Sequence, residues 1–539
     1  MTHGTKSTFE IVGETQVIAG QTQEPPGLGF RFGRIFQNLP PFRPTDASLT
    51  ALGTEMTKAF APPAPATRDG PVPAGYTYFG QFVDHDITKD TTPGLPQTAP
   101  LAGVNPDVIK QARSPSLDLD SVYGIPDGAD PRLLAGDGLH FLLGSTTATP
   151  GAPPFLGPPS DVPFVGADVP RQASGPNAGE AIIGDDRNDE NLIIQQLHLA
   201  FLKFHNKAVD HFRAAAPDVS DTVIFAQARD IVTRHYQWIV LNDFIRRVVS
   251  PPAFRSVLGV SDLSGATSIT PNPLVFKVSA AQIPPMPLEF SAAAYRFGHS
   301  MVRDDYSWNR FFNTGTTFDQ FFRFSHLSGI IGSGLATFPS NWIADWRRMF
   351  EMETVTGFPA FSRQQFPLNL ARKIDTHLAI ELGRLPKGGG NLAARNLIRG
   401  SRNGLPSGQD VAAAIVAAGD KTAKPMSPDD VVKGLDDLGR KTLTDFDFQM
   451  KTPLWYYILK EAENGGGATL GPVGSRIVME TFLALIRASV ISIFSGDPDN
   501  PGNLTVFDPS TSPLRTDGGE PIETLPHLLA FVGDVNMLG

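Results

Sequence analysis

The chain has 539 residues, a net charge of −10 and no cysteine. The absence of cysteine excludes disulfides, iron–sulfur clusters and every thiolate-ligated metal site, and the acidic balance argues against nucleic acid or an anionic membrane surface as a partner. The opening residues, MTHGTKSTFEIVGETQ, contain no apolar segment of a secretory signal, and no apolar run is long enough to span a membrane. We therefore expect a soluble, cytoplasmic protein, with export by another route left open.

The first 70 residues are rich in proline, glycine and threonine, with breaks such as Pro25-Pro26 and Pro62-Pro63. This composition predicts an extended N-terminal arm, residues 1–70, that has little regular structure and wraps the main body. No linker divides residues 71–539, which we expect to form one domain. Strand-like alternation is scarce in this part, so the predicted fold is mainly α, with long loops and few short strands.

Residues 75–88, GYTYFGQFVDHDIT, form the first stretch with chemical character. At about 100° per residue on a helix, Gln81, Asp84 and His85 fall on one face. Asp86 points away from that face, toward apolar residues, where a carboxylate needs a cation or several hydrogen-bond donors. The alternative is an exposed polar stripe with Asp86 near a helix end.

A second polar segment places oxygen-bearing side chains at every second position: Ser114, Ser116, Asp118 and Asp120. Alternate residues of an extended loop face the same way, so these oxygens and those of Asp86 could converge on a hard cation such as calcium, which takes six to eight oxygen ligands. The alternative is a solvated acidic turn.

The remaining elements follow from proline and apolar spacing. Residues 150–179 are predicted to form a long surface loop. Apolar residues spaced by three and four predict helices over residues 193–212, 223–249, 288–302 and 341–351.

Three further motifs carry polar residues that could serve in catalysis or in ligand binding. Arg187 and Glu190 are three residues apart and can serve one site, although acidic decoration of a helix start explains this segment equally well. His299 follows a glycine on a predicted helix, where a buried core histidine is the alternative. Asn396 and Arg399 share one helical turn further along the chain.

Taken together, these motifs resemble those of the animal-type haem peroxidase family, and the chain is identified as a bacterial-type member. The matching segments are GQFVDHD, SPSLDLDSVYG, GDDRNDE, YRFGH and RNLIRGSRNGLP, which occur in the family's order over residues 75–406. The resemblance implies the family's helical fold, a haem b cofactor and one calcium ion.

The resemblance also implies a role for each motif residue. It implies that His85 is the acid/base for peroxide, that Gln81 lines the distal pocket and that Arg187 stabilises cleavage of the peroxide bond. It implies that Asp84 and Glu190 form esters to haem, that His299 is the proximal iron ligand whose N–H Asn396 accepts, and that Arg399 pairs with a haem propionate. It also implies that calcium is bound by Asp86, Ser114, Ser116, Asp118 and Asp120. Asn191 replaces the methionine that forms a third haem link in some members, so we expect at most two esters. Arg402 and Asn403 replace the usual Asp-His pair.

The implied function is that of a haem peroxidase, which uses hydrogen peroxide to form an oxyferryl intermediate and then oxidises halide, thiocyanate or small organic donors, as in a response to oxidative stress. One alternative is the related fatty-acid dioxygenase branch, whose members carry a tyrosine three residues before the proximal histidine; here Tyr295 stands four residues before His299. Another is a calcium-stabilised binding module without catalytic activity.

Overall fold

A computed structural model describes residues 30–59, 68–90, 111–125, 128–148, 165–175, 177–278, 283–313, 318–322, 324, 338–385, 389–496 and 502–533. The fold is mainly α, as predicted. The helices are α1 (Asp46–Met56), α2 (Gly75–Ile87), α3 (Asp120–Tyr123), α4 (Leu192–Ala215), α5 (Asp221–Trp238), α6 (Arg246–Val248), α7 (Pro251–Leu258), α8 (Leu288–Ser291), α9 (Leu392–Arg402), α10 (Gly408–Ala418), α11 (Pro428–Val432), α12 (Asp437–Asp445), α13 (Leu454–Asn464), α14 (Pro472–Ala488) and α15 (Leu525–Val532).

The strands are short and lie at the edges of the helical body. They are β1 (Phe32–Gly33), β2 (Asp69–Pro73), β3 (Gly144–Ser145), β4 (Ala167–Asp168), β5 (Ser268–Ile269), β6 (Met286–Pro287), β7 (Leu370–Arg372), β8 (Phe494–Gly496) and β9 (Leu504–Val506). β1 pairs with β6 in parallel, whereas β2–β7, β3–β4 and the β5–β9–β8 sheet are antiparallel. Within the described ranges, no helix is both long and apolar enough to cross a bilayer.

Helix α4 confirms the helix predicted over residues 193–212. Asn191 caps it, since its side-chain oxygen accepts a hydrogen bond from the backbone N–H of Ile194 at 3.1 Å. The helix predicted over 223–249 is also present, although α5 changes at Ile239–Ile245 into a π-helix before α6 begins. Helices α4 and α5 pack against each other, and α2 packs against α4.

Two predicted helices are wrong. The segment 288–302 divides into α8 and a 3-10 helix, Ala294–Met301, because Ala293 leaves the helical region at φ −141° and ψ −72°. The segment 341–351 contains only short 3-10 turns. There, Ala344 N–H binds Gln196 Oε1 at 2.8 Å and Asp345 N–H binds the Trp308 carbonyl at 2.7 Å, so tertiary contacts take the donors that a helix would use.

The N-terminal arm was predicted with little regular structure, and this is wrong for its described part. Helix α1 has 11 residues, is capped by Thr45, and packs against α9. The approach is so close that a Cβ on Gly53 would collide with the backbone of Ala394. Residues 1–29 and 60–67 of the predicted arm lie outside the described residues, as do 150–164 of the predicted surface loop.

Candidate active site

Helix α2 carries the first predicted site residues on a buried face. Gln81 and Asp84 line a cleft of about 380 Å³, and the opposite wall is formed by the 3-10 helix Ala294–Met301. The lining residues are Tyr76, Thr77, Gly80, Gln81, Asp84, Phe244, Tyr295, Arg296, Phe297, Gly298 and Met301. Because residues 81–87 of α2 are all buried, the exposed-stripe alternative is wrong.

His85 is fully buried, and only one of its two ring nitrogens has a hydrogen-bond partner in the described part of the chain. Its Nδ1 lies 2.9 Å from Oδ1 of Asn188, whereas its Nε2 finds no hydrogen-bond partner among the described residues. Burial, and then the positive charge of Arg187, lower the pKa of His85 to about 3. The imidazole is therefore neutral at neutral pH, and an Nδ1–H donated to Asn188 leaves the lone pair on Nε2.

Arg187 lies next to His85, in the 3-10 helix Asp186–Asp189 rather than in α4. Its Nε and Nη2 both donate to Asp185 at 2.9 Å, and Nη2 also donates to the backbone carbonyl of His85 at 2.8 Å. Asp185 holds a second guanidinium, that of Arg113, at 2.8 Å. These cations keep the pKa of Asp185 well below its usual range despite burial, so the arrangement is an ionised cluster and not surface decoration of a helix start.

Glu190 and Gln81 are joined directly. Gln81 Nε2 donates to Glu190 Oε2 at 3.3 Å, and Asn191 Nδ2 donates to Gln81 Oε1 at 3.0 Å. Asn191 therefore has two tasks, since it also caps α4. The residue that replaces a methionine in this motif orients the glutamine of the cleft.

Asp84 is buried and accepts a hydrogen bond from the Thr88 hydroxyl at 3.0 Å. Burial raises its pKa, and the nearby charge of Arg296, followed by that of Arg187, offsets this only in part.

His299 belongs to the 3-10 helix Ala294–Met301 that forms the opposite wall, but it is fully buried behind that wall and is not itself a lining residue. Asn396 of α9 contacts it as predicted, but with reversed polarity: Asn396 Nδ2 is 2.6 Å from His299 Nδ1, and Oδ1 faces Arg296 Nη1 at 3.4 Å. An amide nitrogen cannot accept an imidazole N–H. Iron ligation through Nε2 would leave the proton on Nδ1, so it requires the Asn396 amide turned by 180°.

Arg296 was not singled out from the sequence. It lines the cleft, is buried, and donates through Nε to the Ser291 carbonyl at 2.9 Å. A guanidinium in a buried cleft is a ready partner for a carboxylate. The available signal was its position three residues before His299.

Arg399 is partly exposed and pairs with Asp90 at 3.6 Å. The Arg402 and Asn403 departures from the family motif have structural partners. Arg402 Nη2 donates to Asp46 of α1 at 2.8 Å, and Arg34 donates to the Asn403 carbonyl. These two positions therefore fasten the N-terminal segment to α9.

Asp86, on the far side of α2, joins Asp118 and Asp120, with one oxygen of each within 4.8 Å of the others. Ser114 contributes a hydroxyl that donates to Asp118 at 2.8 Å and a backbone N–H that donates to Asp120 at 3.0 Å. Burial, and then the charge of Asp120, raise the pKa of Asp86 to about 7; the pKa values of Asp118 and Asp120 are raised as well. Asp86 and Asp120 are buried and Asp118 is half-buried, so the solvated-turn alternative is wrong.

The backbone of this loop differs from the prediction. Residues 113–118 form bends rather than an extended strand, Leu119 has a φ of 59°, and Asp120 begins α3. Convergence therefore comes from folding back and not from alternation. Ser116 is half-buried, and no hydrogen bond joins its side chain to the cluster within the described loop.

Arg113 is a second residue that the sequence did not reveal. It is buried and lies between two carboxylates, with Nη1 3.4 Å from Asp120 Oδ1 and Nε 2.8 Å from Asp185 Oδ2. One guanidinium thus joins the carboxylate cluster to the ionised cluster that holds Arg187.

Comparisons with known proteins identify the family of this chain. A family model described as "Animal haem peroxidase" matches residues 103–488, which contain every motif discussed above except that of α2. Thyroid peroxidase of Rattus norvegicus is 27% identical over 206 residues, which are 38% of this chain but only 20% of that protein, so the match spans about a fifth of that relative's length.

Two solved structures share the fold. Peroxidase A from Dictyostelium discoideum has a TM-score of 0.56 at 17% identity, covering 86% of this chain and 88% of that chain. Fatty acid alpha-dioxygenase from Oryza sativa has a TM-score of 0.55 at 12% identity, covering 94% of this chain and 79% of that chain. The family match covers most of the sequence, and its implied cofactor is haem. The chain belongs to the animal haem peroxidase family.

Proposed function

We propose that this chain is a haem peroxidase that consumes hydrogen peroxide and oxidises halide, thiocyanate or small organic donors. The observation that carries the proposal is a pair of buried histidines on the two elements that wall one cleft. His85 offers an Nε2 without a hydrogen-bond partner in the described part of the chain, and His299 contacts Asn396 through Nδ1.

The residues around the cleft fit a haem group. His299 would ligate iron through Nε2, and the Asn396 amide, turned by 180° from its orientation in the structure, would accept the proton on Nδ1. Arg296 inside the cleft, and Arg399 on α9, supply guanidinium groups suited to the two propionates.

When bound, haem supplies the iron on which peroxide is cleaved and the two electrons that this cleavage consumes. The chain's own contribution is proton transfer and charge stabilisation. His85 Nε2 accepts a proton from one peroxide oxygen and returns it to the other, which leaves as water. Arg187, fixed by Asp185, offsets the negative charge that develops on the leaving oxygen. Gln81 adds an amide for a small anion in the same pocket.

Asp84 and Glu190 are the proposed sites of ester links to haem. Asp84 lines the cleft, and Glu190 contacts Gln81, which also lines it. Both carboxyl groups are buried, Asp84 at 8% exposure and Glu190 at 0%. Ester formation removes a buried negative charge, and burial is what raises the pKa of Asp84.

We also propose one calcium ion at Asp86, Asp118 and Asp120. Three carboxylates that face one another, two of them buried and that of Asp118 half-buried, are mutually destabilising unless a cation or protons neutralise them. Ser114 supplies a further oxygen beside Asp118. Ser116 stays a predicted ligand without a contact to support it.

The test is an absorption spectrum of haemin-supplied protein before and after one equivalent of hydrogen peroxide. We expect a Soret band that shifts with peroxide, and a rate of that shift that falls about 10²- to 10⁴-fold in His85→Ala. His211→Ala, on the exposed face of α4, is the matched control and should react at the wild-type rate. An unchanged rate in His85→Ala would remove His85 as the base, and haem that extracts freely in acidified solvent would remove the esters.

A second candidate, fatty-acid dioxygenation, rests on Tyr295. This tyrosine lines the cleft, and its hydroxyl donates to the Gly80 carbonyl at 3.2 Å. Its position four residues before His299 differs from the dioxygenase spacing, which favours the peroxidase. Oxygen uptake with linoleate that disappears in Tyr295→Phe would reverse this preference.

A further inference from the structure

His85 is one end of a buried chain of three hydrogen-bonded side chains, and the proposed peroxide chemistry does not use the other two. Asn188 Oδ1 is 2.9 Å from His85 Nδ1, and Asn188 Nδ2 is 3.0 Å from Nδ1 of His198 on α4. All three side chains have 0% exposure. A sequence of hydrogen-bonded groups without solvent has a fixed polarity, because every donor must meet an acceptor.

We propose that Asn188 is a positioning residue that sets the tautomer of His85, with His198 as the second hydrogen-bond partner of its amide. The inference rests on the proposed peroxidase function for its kinetic consequence. It does not rest on that function for the tautomer itself.

The polarity of the chain decides which nitrogen of His85 can act. With Oδ1 of Asn188 toward His85, Nδ1 carries the proton and Nε2 holds the lone pair. With the amide reversed, Nδ2 would donate to His85 Nδ1, and Nε2 would carry the proton. Only the first arrangement leaves Nε2 able to accept a proton from peroxide. The orientation of the Asn188 amide thus determines whether Nε2 of His85 can act as a base.

The scaffold around Asn188 is held from both sides. Asp185 caps the 3-10 helix that carries Asn188, and three cations contact this carboxylate: Arg113, Arg187 and Lys89. The helix ends at Asp189, which Arg171 grips with two hydrogen bonds of 2.7 and 2.8 Å. Buried, bidentate ion pairs fix the backbone and leave Asn188 little freedom to move away from the imidazole.

His198 is held equally well. Its ring meets Phe82 of α2 edge-on at 6.2 Å between centroids, and it lies in the first two turns of α4. The ring cannot leave without opening the α2–α4 contact. Its Nδ1 therefore stays in reach of the Asn188 amide, and in the observed orientation of that amide it accepts an N–H from Nδ2.

The first measurement is the imidazole ¹⁵N spectrum of the full-length protein labelled at histidine, as purified and in its diamagnetic ferrous carbonyl form. His85→Ala assigns the signal. We expect a pyridine-type resonance at Nε2 and a pyrrole-type resonance at Nδ1 of His85. In Asn188→Leu, which keeps the volume and removes both hydrogen bonds, we expect the two tautomers to mix. The opposite tautomer in the wild type, or an unchanged spectrum in Asn188→Leu, would overturn the proposal.

The second measurement is kinetic and uses haemin-loaded protein. In Asn188→Leu we expect the bimolecular rate with peroxide to fall about 10- to 100-fold, while the rate of donor oxidation at saturating peroxide is unchanged. Asn188→Asp restores an acceptor for Nδ1–H and should return most of the lost rate. Equal losses in both variants, or a parallel loss of donor oxidation, would show a merely structural role.

The two measurements fail separately. If the wild type shows no reaction with peroxide, the proposed peroxidase function fails, and the ¹⁵N spectrum of the purified chain still decides the tautomer. If the wild type reacts normally while the Asn188→Leu spectrum is unchanged, the function stands and the role of Asn188 falls.

Discussion

The buried carboxylate Asp185 gives the sharpest test of how this site is held. Its side chain is 0% exposed and receives two hydrogen bonds of 2.9 Å from Arg187 and one of 2.8 Å from Arg113. Asp185→Asn keeps the shape of the side chain and removes its charge. Two buried guanidinium groups then lose the anion that compensates them.

The expected cost follows from those contacts. Removing one partner of a buried ion pair typically destabilises a protein by about 3–5 kcal/mol, which is about two to four orders of magnitude in the unfolding equilibrium. Arg187 also loses the fork that aims it, so we expect the rate of reaction with peroxide to fall about 10- to 100-fold. The neighbouring Asp186 is the matched control. Its side chain is 57% exposed and pairs with Lys89 at 3.1 Å, so Asp186→Asn should cost about 0–1 kcal/mol.

The assay is urea unfolding of both variants followed by helical circular dichroism, with the peroxide rate measured on the same preparations. The pKa of Asp185 is depressed in the folded protein, so its contribution is present above its unfolded pKa, about 3.9, and is lost as the pH falls through the folded value. The difference between wild type and Asp185→Asn should therefore be full at pH 7 and shrink only below about pH 4. A cost at pH 7 no larger than that of Asp186→Asn would refute the reasoning.

Three further outcomes follow from other parts of the molecule. Burial raises the pKa of Glu461 to about 8, so the contribution of this group to stability is full below about pH 4.5 and is lost as the pH rises to about 8. Glu461→Gln should therefore raise the urea midpoint at pH 8 by the equivalent of at most about 5 kcal/mol and leave it unchanged at pH 4.5. Calcium should raise the melting temperature of the wild type, but not that of Asp118→Asn, and equal calcium responses in the two proteins would contradict the cation site. Gly53→Ala should destabilise the protein by about 1–3 kcal/mol, because its Cβ meets the backbone of Ala394, whereas Gly136→Ala, with open space around it, should not; equal unfolding midpoints for the two alanine variants would contradict the close contact of α1 and α9.

Local periodicity was sufficient wherever one face of a helix is apolar. Helix α4 could be predicted because apolar residues recur along it every three or four positions, and the helical spacing of α2 placed Gln81 and Asp84 in one cleft. The same rule failed over 341–351, where backbone donors bind Gln196 and Trp308, which are far away in sequence. Spacing carries no information about such partners.

The supporting residues were beyond the sequence for a similar reason. Asn188, Arg113 and Arg296 act through contacts with side chains that lie far along the chain or on another element, and no motif spacing describes those contacts. The polarity of Asn396 was also not predictable, because it depends on Arg296 as well as on His299. Motif order thus indicated which residues meet, while their hydrogen-bond directions needed coordinates.

Arg113 has a consequence for how the two halves of the distal side communicate. It divides its charge between Asp120, in the carboxylate cluster, and Asp185, which aims Arg187. A cation bound to the carboxylate cluster would neutralise part of the charge of Asp120, and the Arg113 guanidinium would then bind Asp185 more closely. By thermodynamic reciprocity, whatever factor a bound cation adds to the affinity of an anionic ligand beside Arg187, that ligand adds to the affinity for the cation.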